Sequence, residues 1–311
     1  MATITMTMSS KRKTLVVVVG PTGSGKSALA VRLAQHYGAP IISTDSRQVY
    51  RGMPIGTAQP TAEELAAAKH YFIADRSPEE EFNCGRYETE ALALLDKLFV
   101  ECDTVVAVGG SGLYVQALCE GMDDLPEADE ELRESLKRRL TNEGLSSLVE
   151  QLRSLDKSYA EVVDLQNPAR VMRALEVCLV SGRPYSELRS GRVAKRPFSI
   201  VKVGTDMPRD VLYDRINRRV DMMVEQGLVA EVERLQPLRH CNALQTVGYR
   251  ELFDYFDGAI TLDEAIELIK RNSRRYAKRQ LTWFRRDETI GWFSPDDLDK
   301  IIEYIDNKSE E

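Results

Sequence analysis

Four residues set the chemistry this chain can do. Gly20, Gly25, Lys26 and Ser27 fall in the spacing G-x-x-x-x-G-K-[ST], within LVVVVGPTGSGKSALA, Leu15 to Ala30. The pattern stands where it has meaning, after a β-branched run and before an alanine- and leucine-rich segment of helical character. Glycines let the loop from Gly20 through Thr22, Gly23, Ser24 and Gly25 curl so that its N–H groups face one concavity. The following helix adds its positive end and Lys26 a full charge, while the Ser27 hydroxyl suits a Mg²⁺ bridging phosphate oxygens. A diphosphate or triphosphate belongs there, and the competing reading is an ordinary glycine turn. Two further stretches reach the same rim if the sheet is parallel, because ligands bind beyond the carboxyl ends of strands. One is PIISTDS (Pro40 to Ser46), which ends near Asp45; the other is TVVAV (Thr104 to Val108), which runs into Gly109-Gly110-Ser111-Gly112. An N-cap is the competing role for Asp45. The fourth strand lacks the terminal Asp with which many P-loop NTPases hold Mg²⁺.

The elements that must position these residues read as α/β, a P-loop NTPase-like parallel sheet flanked by helices. Tyr71 to Asp75 is a further strand candidate, Tyr87 to Val100 a periodic helix, and Phe198 to Thr205 a return to the sheet. Between the last two, 122–195 reads as an all-helical insertion, with an acidic start around Asp123 to Glu131 and a strongly periodic helix over Ala169 to Val180. The core is then 11–121 with 196–311. A helix over Arg209 to Leu235 carries Arg215, Arg218 and Arg219 beside an apolar stripe, with Gly227 as a break. Gln245 to Arg250 is a polar loop leading into a helix. The last long helix, Leu262 to Phe284, places Ile266, Ile269, Tyr276, Gln280 and Phe284 on one face. Opposite lie Arg271, Arg274, Arg275, Lys278 and Arg279, with Arg285 and Arg286 just beyond, and no acid occurs between Glu267 and Asp287. A face of one sign repels itself unless a polyanion covers it, so Arg274, Arg275 and Lys278 are expected against a nucleic-acid backbone.

Composition narrows the classes. The net charge of −7 over 311 residues argues against non-specific nucleic-acid binding by the whole surface, though not by this local patch. Five cysteines without C-x-x-C pairing read as reduced thiols, neither a disulfide framework nor a zinc site. No apolar run approaches the ~20 residues that span a bilayer. The first ten residues show no signal peptide and are expected to fray, so the chain reads as cytoplasmic.

Seven ordered stretches together resemble the tRNA dimethylallyltransferases (tRNA isopentenyltransferases) over Leu15 to Trp292. They are GPTGSGKS, ISTDSRQVYRGMPIGTAQP, VGGSGLY, NPARVMRALEV, LYDRINRRVDMM, TVGYRE and KRQLTWFRR. The resemblance implies that the loop holds the diphosphate of dimethylallyl diphosphate, without ATP. The prenyl group would pass to the exocyclic amine of the adenosine 3′ of the anticodon, in the anticodon stem-loop of tRNA. It implies Asp45 as general base, Ser111 as an aid in positioning the amine, and Arg215 and Arg219 near the diphosphate. It further implies RNA contacts from Asp45, Ser46, Arg47, Gln48, Ser111, Arg133, Ala169, Arg170, Arg173 and Gln245, Thr246, Val247, Gly248, Tyr249 and Arg250. The insertion resembles a mobile domain that closes on the stem, the enzyme is expected to act as a monomer, and Mg²⁺ is the expected cofactor. Ala169 stands where many members carry Gln, and the zinc finger of nuclear-encoded eukaryotic members is missing, which favours a bacterial type. The alternatives are an adenylate isopentenyltransferase acting on free nucleotide, a small-molecule P-loop kinase, and a non-catalytic P-loop RNA-binding protein. The basic helix and TVGYRE have no use in a kinase.

Overall fold

A computed structural model describes residues 12–127, 129–189, 191 and 193–310. The expectation of a frayed tail over the first ten residues lies outside them. Six strands form one sheet: β1 (Thr14–Val19), β2 (Ile41–Ser43), β3 (His70–Tyr71), β4 (Thr104–Gly109), β5 (Ser199–Thr205) and β6 (Gly291–Phe293). Their order is β3-β2-β4-β1-β5-β6 and every pairing is parallel. β1 is central and its six residues TLVVVV are all buried, as a strand covered on both faces must be. One side of the sheet packs Leu15, Val17 and Val19 into the larger core with Tyr87, Leu118, Tyr249 and Leu252. The other packs Val16 and Val18 against Leu29 and Leu33 of the helix Lys26–Tyr37 and Ile301 and Ile305 of the last helix.

Register brings the three loops together. Val19 at the end of β1 pairs with Gly109, and Ser43 at the end of β2 pairs with Val108. The phosphate loop, Asp45 and Ser111 therefore leave three adjacent strands at the same edge.

One expected element differs. The third strand is only His70–Tyr71, because Phe72 and Ala74 take positive φ (60° and 48°) and turn the chain away from the sheet. The Ala74 N–H bonds instead to the Gln48 carbonyl at 2.9 Å. The helix from Arg209 breaks at Gly227 as expected, into Arg209–Glu225 and Leu228–Arg234, because a helix cannot contain the glycine's φ of 101°. The basic helix occupies Leu262–Phe284, opened by a capping box between Thr261 and Glu264.

Residues Glu120–Ala194 form a separate compact unit, helical wherever the described residues are regular. Its acidic lead is a helix start, with the Asp129 carboxylate accepting the Leu132 N–H and Glu130 and Glu131 in the first turn. Leu136, Leu148, Leu152, Val171 and Leu175 make its core.

Candidate active site at the carboxyl edge of the sheet

The phosphate loop is locked from beneath by hydroxyls and from above by an amide. Ser24 is fully buried, with its Oγ 2.6 Å from Thr205 Oγ1 at the end of β5. Ser24, expected among the diphosphate contacts, thus braces the loop with its side chain, and its N–H points back to the Pro21 carbonyl at 3.3 Å. A Cβ on Gly20 would lie 2.1 Å from Thr205 Oγ1, which is why the loop begins with glycine. From the basic helix, Gln280 accepts the Thr22 N–H at 2.9 Å and donates to the Gly110 carbonyl at 2.9 Å, joining the two glycine-rich loops. The Thr22 amide, expected to face phosphate, is occupied by this bond.

Around the loop the charges are left open. A cavity of about 370 Å³ is lined by Lys26, Ser27, Asp45 to Gln48, Arg219, Gln245 to Gly248, Tyr276 and Arg279. Its apolar wall is made of Ile216, Val220, Met223, Leu228, Val247 and Ile269. A neighbouring cavity of about 330 Å³ shares Lys26, Ser27, Ala58 and Arg219 with it and adds Gly23, Gly25 and Arg215. Burial, then the Arg219 charge, pulls the Lys26 ammonium down to about 8, against the opposing pull of Asp45. Burial likewise lowers Arg219, which feels Asp45 and Glu64 favourably and Arg215 unfavourably. Confining three cations this closely costs energy that a bound anion would recover.

Asp45 takes the capping role weighed for it and also lines the cavity. Its Oδ1 accepts the N–H groups of Arg47 (2.8 Å) and Gln48 (3.3 Å), capping the turn that follows. Those bonds fix the carboxylate through Oδ1. Ser111 Oγ accepts the Ser46 N–H at 3.0 Å and donates to Ser46 Oγ at 3.2 Å. The Tyr276 hydroxyl is pushed up to about 12 by burial and then by the Asp45 charge, with nearby Ser111 acting against the rise. Gln48 is pinned from both ends, accepting from Ser43 Oγ at 3.1 Å and donating to the Ala58 carbonyl at 2.8 Å. Arg47 donates to the Asn242 carbonyl at 2.8 Å.

One expected RNA contact is corrected. Tyr249 is fully buried, and its phenol donates to Glu231 Oε1 at 2.7 Å. Glu231, itself 2% exposed, also accepts the N–H groups of Ile55 and Gly56, each at 2.9 Å. Gly56 lies so close to the Tyr249 ring that a Cβ there would approach it to 2.5 Å. Tyr249 and Glu231 therefore shape the cavity wall from behind. Arg250 is exposed, and Gln245, Thr246, Val247 and Gly248 face the cavity.

In the helical unit, Arg133 and Arg173 both close on buried Glu176, at 3.2 and 2.9 Å, and Arg173 also donates to the Pro126 carbonyl. Ala169 and Arg170 are exposed. On the basic helix Arg275 and Lys278 are exposed, whereas Arg274 is half-buried and hydrogen-bonded to the Asn217 side chain.

The sequence reading missed Tyr276, Gln280 and Glu231 as site residues, assigning the first two to a buried stripe. A signal existed: a buried amide on an apolar face must find partners, and Gln280 has two.

Among the described residues no group of three or more His, Cys, Asp or Glu side chains is arranged to hold a metal. The oxygen donor of Ser27, beside Lys26 in both cavities, fits an ion such as Mg²⁺ that is held mostly by phosphate oxygens and water.

The chain as a whole is similar to known proteins. The sequence profile described as IPP transferase matches residues 48–287. The chain is 49% identical over 304 residues to a tRNA dimethylallyltransferase of Cytophaga hutchinsonii, covering 98% of this chain and 100% of that one. It is also similar to the crystal structure of the full-length tRNA isopentenylpyrophosphate transferase of Bacillus halodurans. That match has 39% identity and a TM-score of 0.70, over 96% of this chain and 99% of the other. A eukaryotic dimethylallyltransferase caught acting on tRNA superposes with a TM-score of 0.75 at 25% identity, over 96% of this chain and 77% of that one.

Proposed function

This chain belongs to the IPP transferase family of tRNA-prenylating enzymes, and from that premise we propose how its own residues carry out the transfer. The donor is dimethylallyl diphosphate and the acceptor is the N6 amine of the adenosine 3′-adjacent to the anticodon. One observation carries this reading: an open cluster of cations, a fixed carboxylate and an apolar wall line a single cavity. The diphosphate lies on the phosphate loop with Lys26, Arg215 and Arg219. The five-carbon tail lies against Ile216, Val220, Met223, Leu228, Val247 and Ile269. Such a cavity has too much apolar surface for a phosphate site alone.

The amine nitrogen attacks the donor's first carbon as its bond to the diphosphate oxygen breaks. The leaving electrons pass to the diphosphate, where the cations stabilise the developing charge. The amine is a poor nucleophile because its lone pair is conjugated with the ring, so it loses its proton as the bond forms, to Asp45 Oδ2. Ser111, held by Ser46, orients the amine. Ser27 would hold a Mg²⁺, which would supply charge neutralisation at the leaving group.

The acceptor adenine must leave the anticodon stack to be reached. Arg47, Gln48, Gln245 to Gly248 and exposed Arg250 are the proposed contacts in the core, with Arg275 and Lys278 on the phosphate backbone. Ala169 and Arg170 are the proposed contacts of the helical unit, which closes on the anticodon stem. Among the described residues no helix is long and apolar enough to cross a membrane. We place the enzyme in the cytoplasm, acting as a monomer.

The test is direct. Purified protein should transfer a five-carbon unit from dimethylallyl diphosphate to tRNA with Mg²⁺ and without ATP, read by nucleoside mass. A strict need for ATP, or transfer to free AMP in preference to tRNA, overturns the reading.

A further inference from the structure

The basic helix carries an aromatic side chain that neither the fold nor the proposed transfer uses. Trp283 is 38% exposed and joins none of the apolar clusters formed by the described residues. The other tryptophan, Trp292, packs against the main core with the Arg285 guanidinium over its ring. An exposed indole has a solvation cost that a covering partner removes.

The pose of the ring shows what kind of partner fits. A Cβ on Gly112 would lie 2.4, 2.5 and 2.6 Å from Nε1, Cδ1 and Cε2 of the indole. An approach along the ring edge would leave the flanking atoms much farther away than the nearest one. Near-equal distances instead put the Gly112 backbone over the flat face of the five-membered ring. The indole is thus laid on main chain that has no side chain to lift it, leaving its exposure to the opposite face.

Its position relates this face to the site. Gly112 follows Ser111, which bonds Ser46, the residue after Asp45. On the helix, Trp283 lies three residues beyond Gln280, four beyond Arg279 and seven beyond Tyr276, so it continues the row that lines the cavity. Exposed Arg279 and Arg286 flank it at four before and three after. A flat apolar face between guanidinium groups is complementary to a base between phosphates.

We propose that Trp283 is a stacking platform for the nucleobase adjacent to the one held at Asp45, in a single-stranded stretch of RNA. This rests on the reading of the site as a tRNA prenylation site and adds where the neighbouring base goes. Extracting the acceptor adenine strips a neighbour of its stacking partner, and the indole replaces that partner.

The experiment measures the RNA Kd and transfer for the full-length wild type, Trp283→Leu and Trp283→Tyr. The probe is an anticodon stem-loop RNA, intact or abasic on either side of the acceptor adenosine. Trp283→Leu should weaken binding of intact RNA by roughly five- to a hundred-fold, as expected for one base stack. The donor KM should stay constant, and Trp283→Tyr should recover most of the affinity. One of the two abasic RNAs should bind wild type as weakly as intact RNA binds Trp283→Leu, and should cost the leucine variant nothing further. Equal binding of intact RNA by wild type and Trp283→Leu, or abasic losses identical in both proteins, overturns the platform. Failure of the wild type to prenylate the RNA overturns the transfer reading instead, and the binding comparison still decides the platform.

Discussion

The edge of the sheet and the helical unit treat their arginines in opposite ways. In the helical unit Arg133 and Arg173 converge on the buried carboxylate of Glu176, so the cations are neutralised within the fold. At the sheet edge Arg215, Arg219 and Lys26 crowd one concavity, and burial lowers both Lys26 and Arg219. Arginines of the first kind hold a structure together. Those of the second kind raise its energy until an anion arrives, which is what the proposed diphosphate site requires. Spacing along a helix does not separate the two kinds, because Arg170 and Arg173 stand three apart on one helix, the first exposed and the second paired with Glu176.

The sharpest break of this contrast falls on Asp45, the negative group among the open cations. Asparagine keeps an oxygen for the N–H groups of Arg47 and Gln48, so the turn survives, but it cannot take a proton. Asp45→Asn should lower kcat by ~10²–10⁴-fold with both substrates still binding, read by single-turnover transfer at saturation. A rate within a few-fold of wild type would leave Asp45 as a cap alone.

A paired substitution comes next in size. Arg219→Gln should raise the KM for the prenyl donor by roughly ten- to a hundred-fold, the worth of about 1.5–3 kcal/mol for a hydrogen bond to a charged group. Its Tm should hold or rise as crowding is relieved. Arg173→Gln should do the reverse, leaving the donor KM alone and lowering Tm by no more than about 4 °C, because its side chain is 36% exposed and solvent screens the pair. A higher KM for tRNA with unchanged Tm in Arg173→Gln would make that arginine an RNA contact and erase the contrast.

The smallest effect is a pH dependence. Lys26 sits at about 8 in the free site, so it is protonated below that pH and neutral above it. Only the charged form attracts the diphosphate, and a bound diphosphate raises its affinity for the proton. Donor kcat/KM should therefore be level below about pH 8 and fall above it, by about tenfold per unit at most. Lys26→Arg, which does not titrate in this range, should flatten the profile whatever its absolute rate.

Much of this molecule can be read from local pattern. The strand TLVVVV, the loop that follows it, and the basic helix over Leu262–Phe284 are each specified by residues within one short segment. β-Branched residues prefer extended backbone, glycines permit the curled loop, and Thr261 with Glu264 caps the helix start. The same local logic failed at Tyr71 to Asp75, where apolar residues of strand-like composition turn away from the sheet. There the chain is held from a distance, by bonds from Ala74 and Asp75 to the carbonyls of Gln48 and Val49.

Sequence by itself determined that a glycine-rich loop suited to a phosphate follows β1 and that an acid and a serine follow two further strands, because strand direction and loop chemistry are local. Only the tertiary structure decided which polar groups face the cavity and which are consumed in building it. Tyr249 stands in a polar loop by sequence, yet it is buried against Glu231, a residue 18 positions earlier. Gln280 reaches across 258 positions to the phosphate loop. A side chain's partner depends on where distant backbone brings an unsatisfied N–H or carbonyl, and burial then makes that bond obligatory.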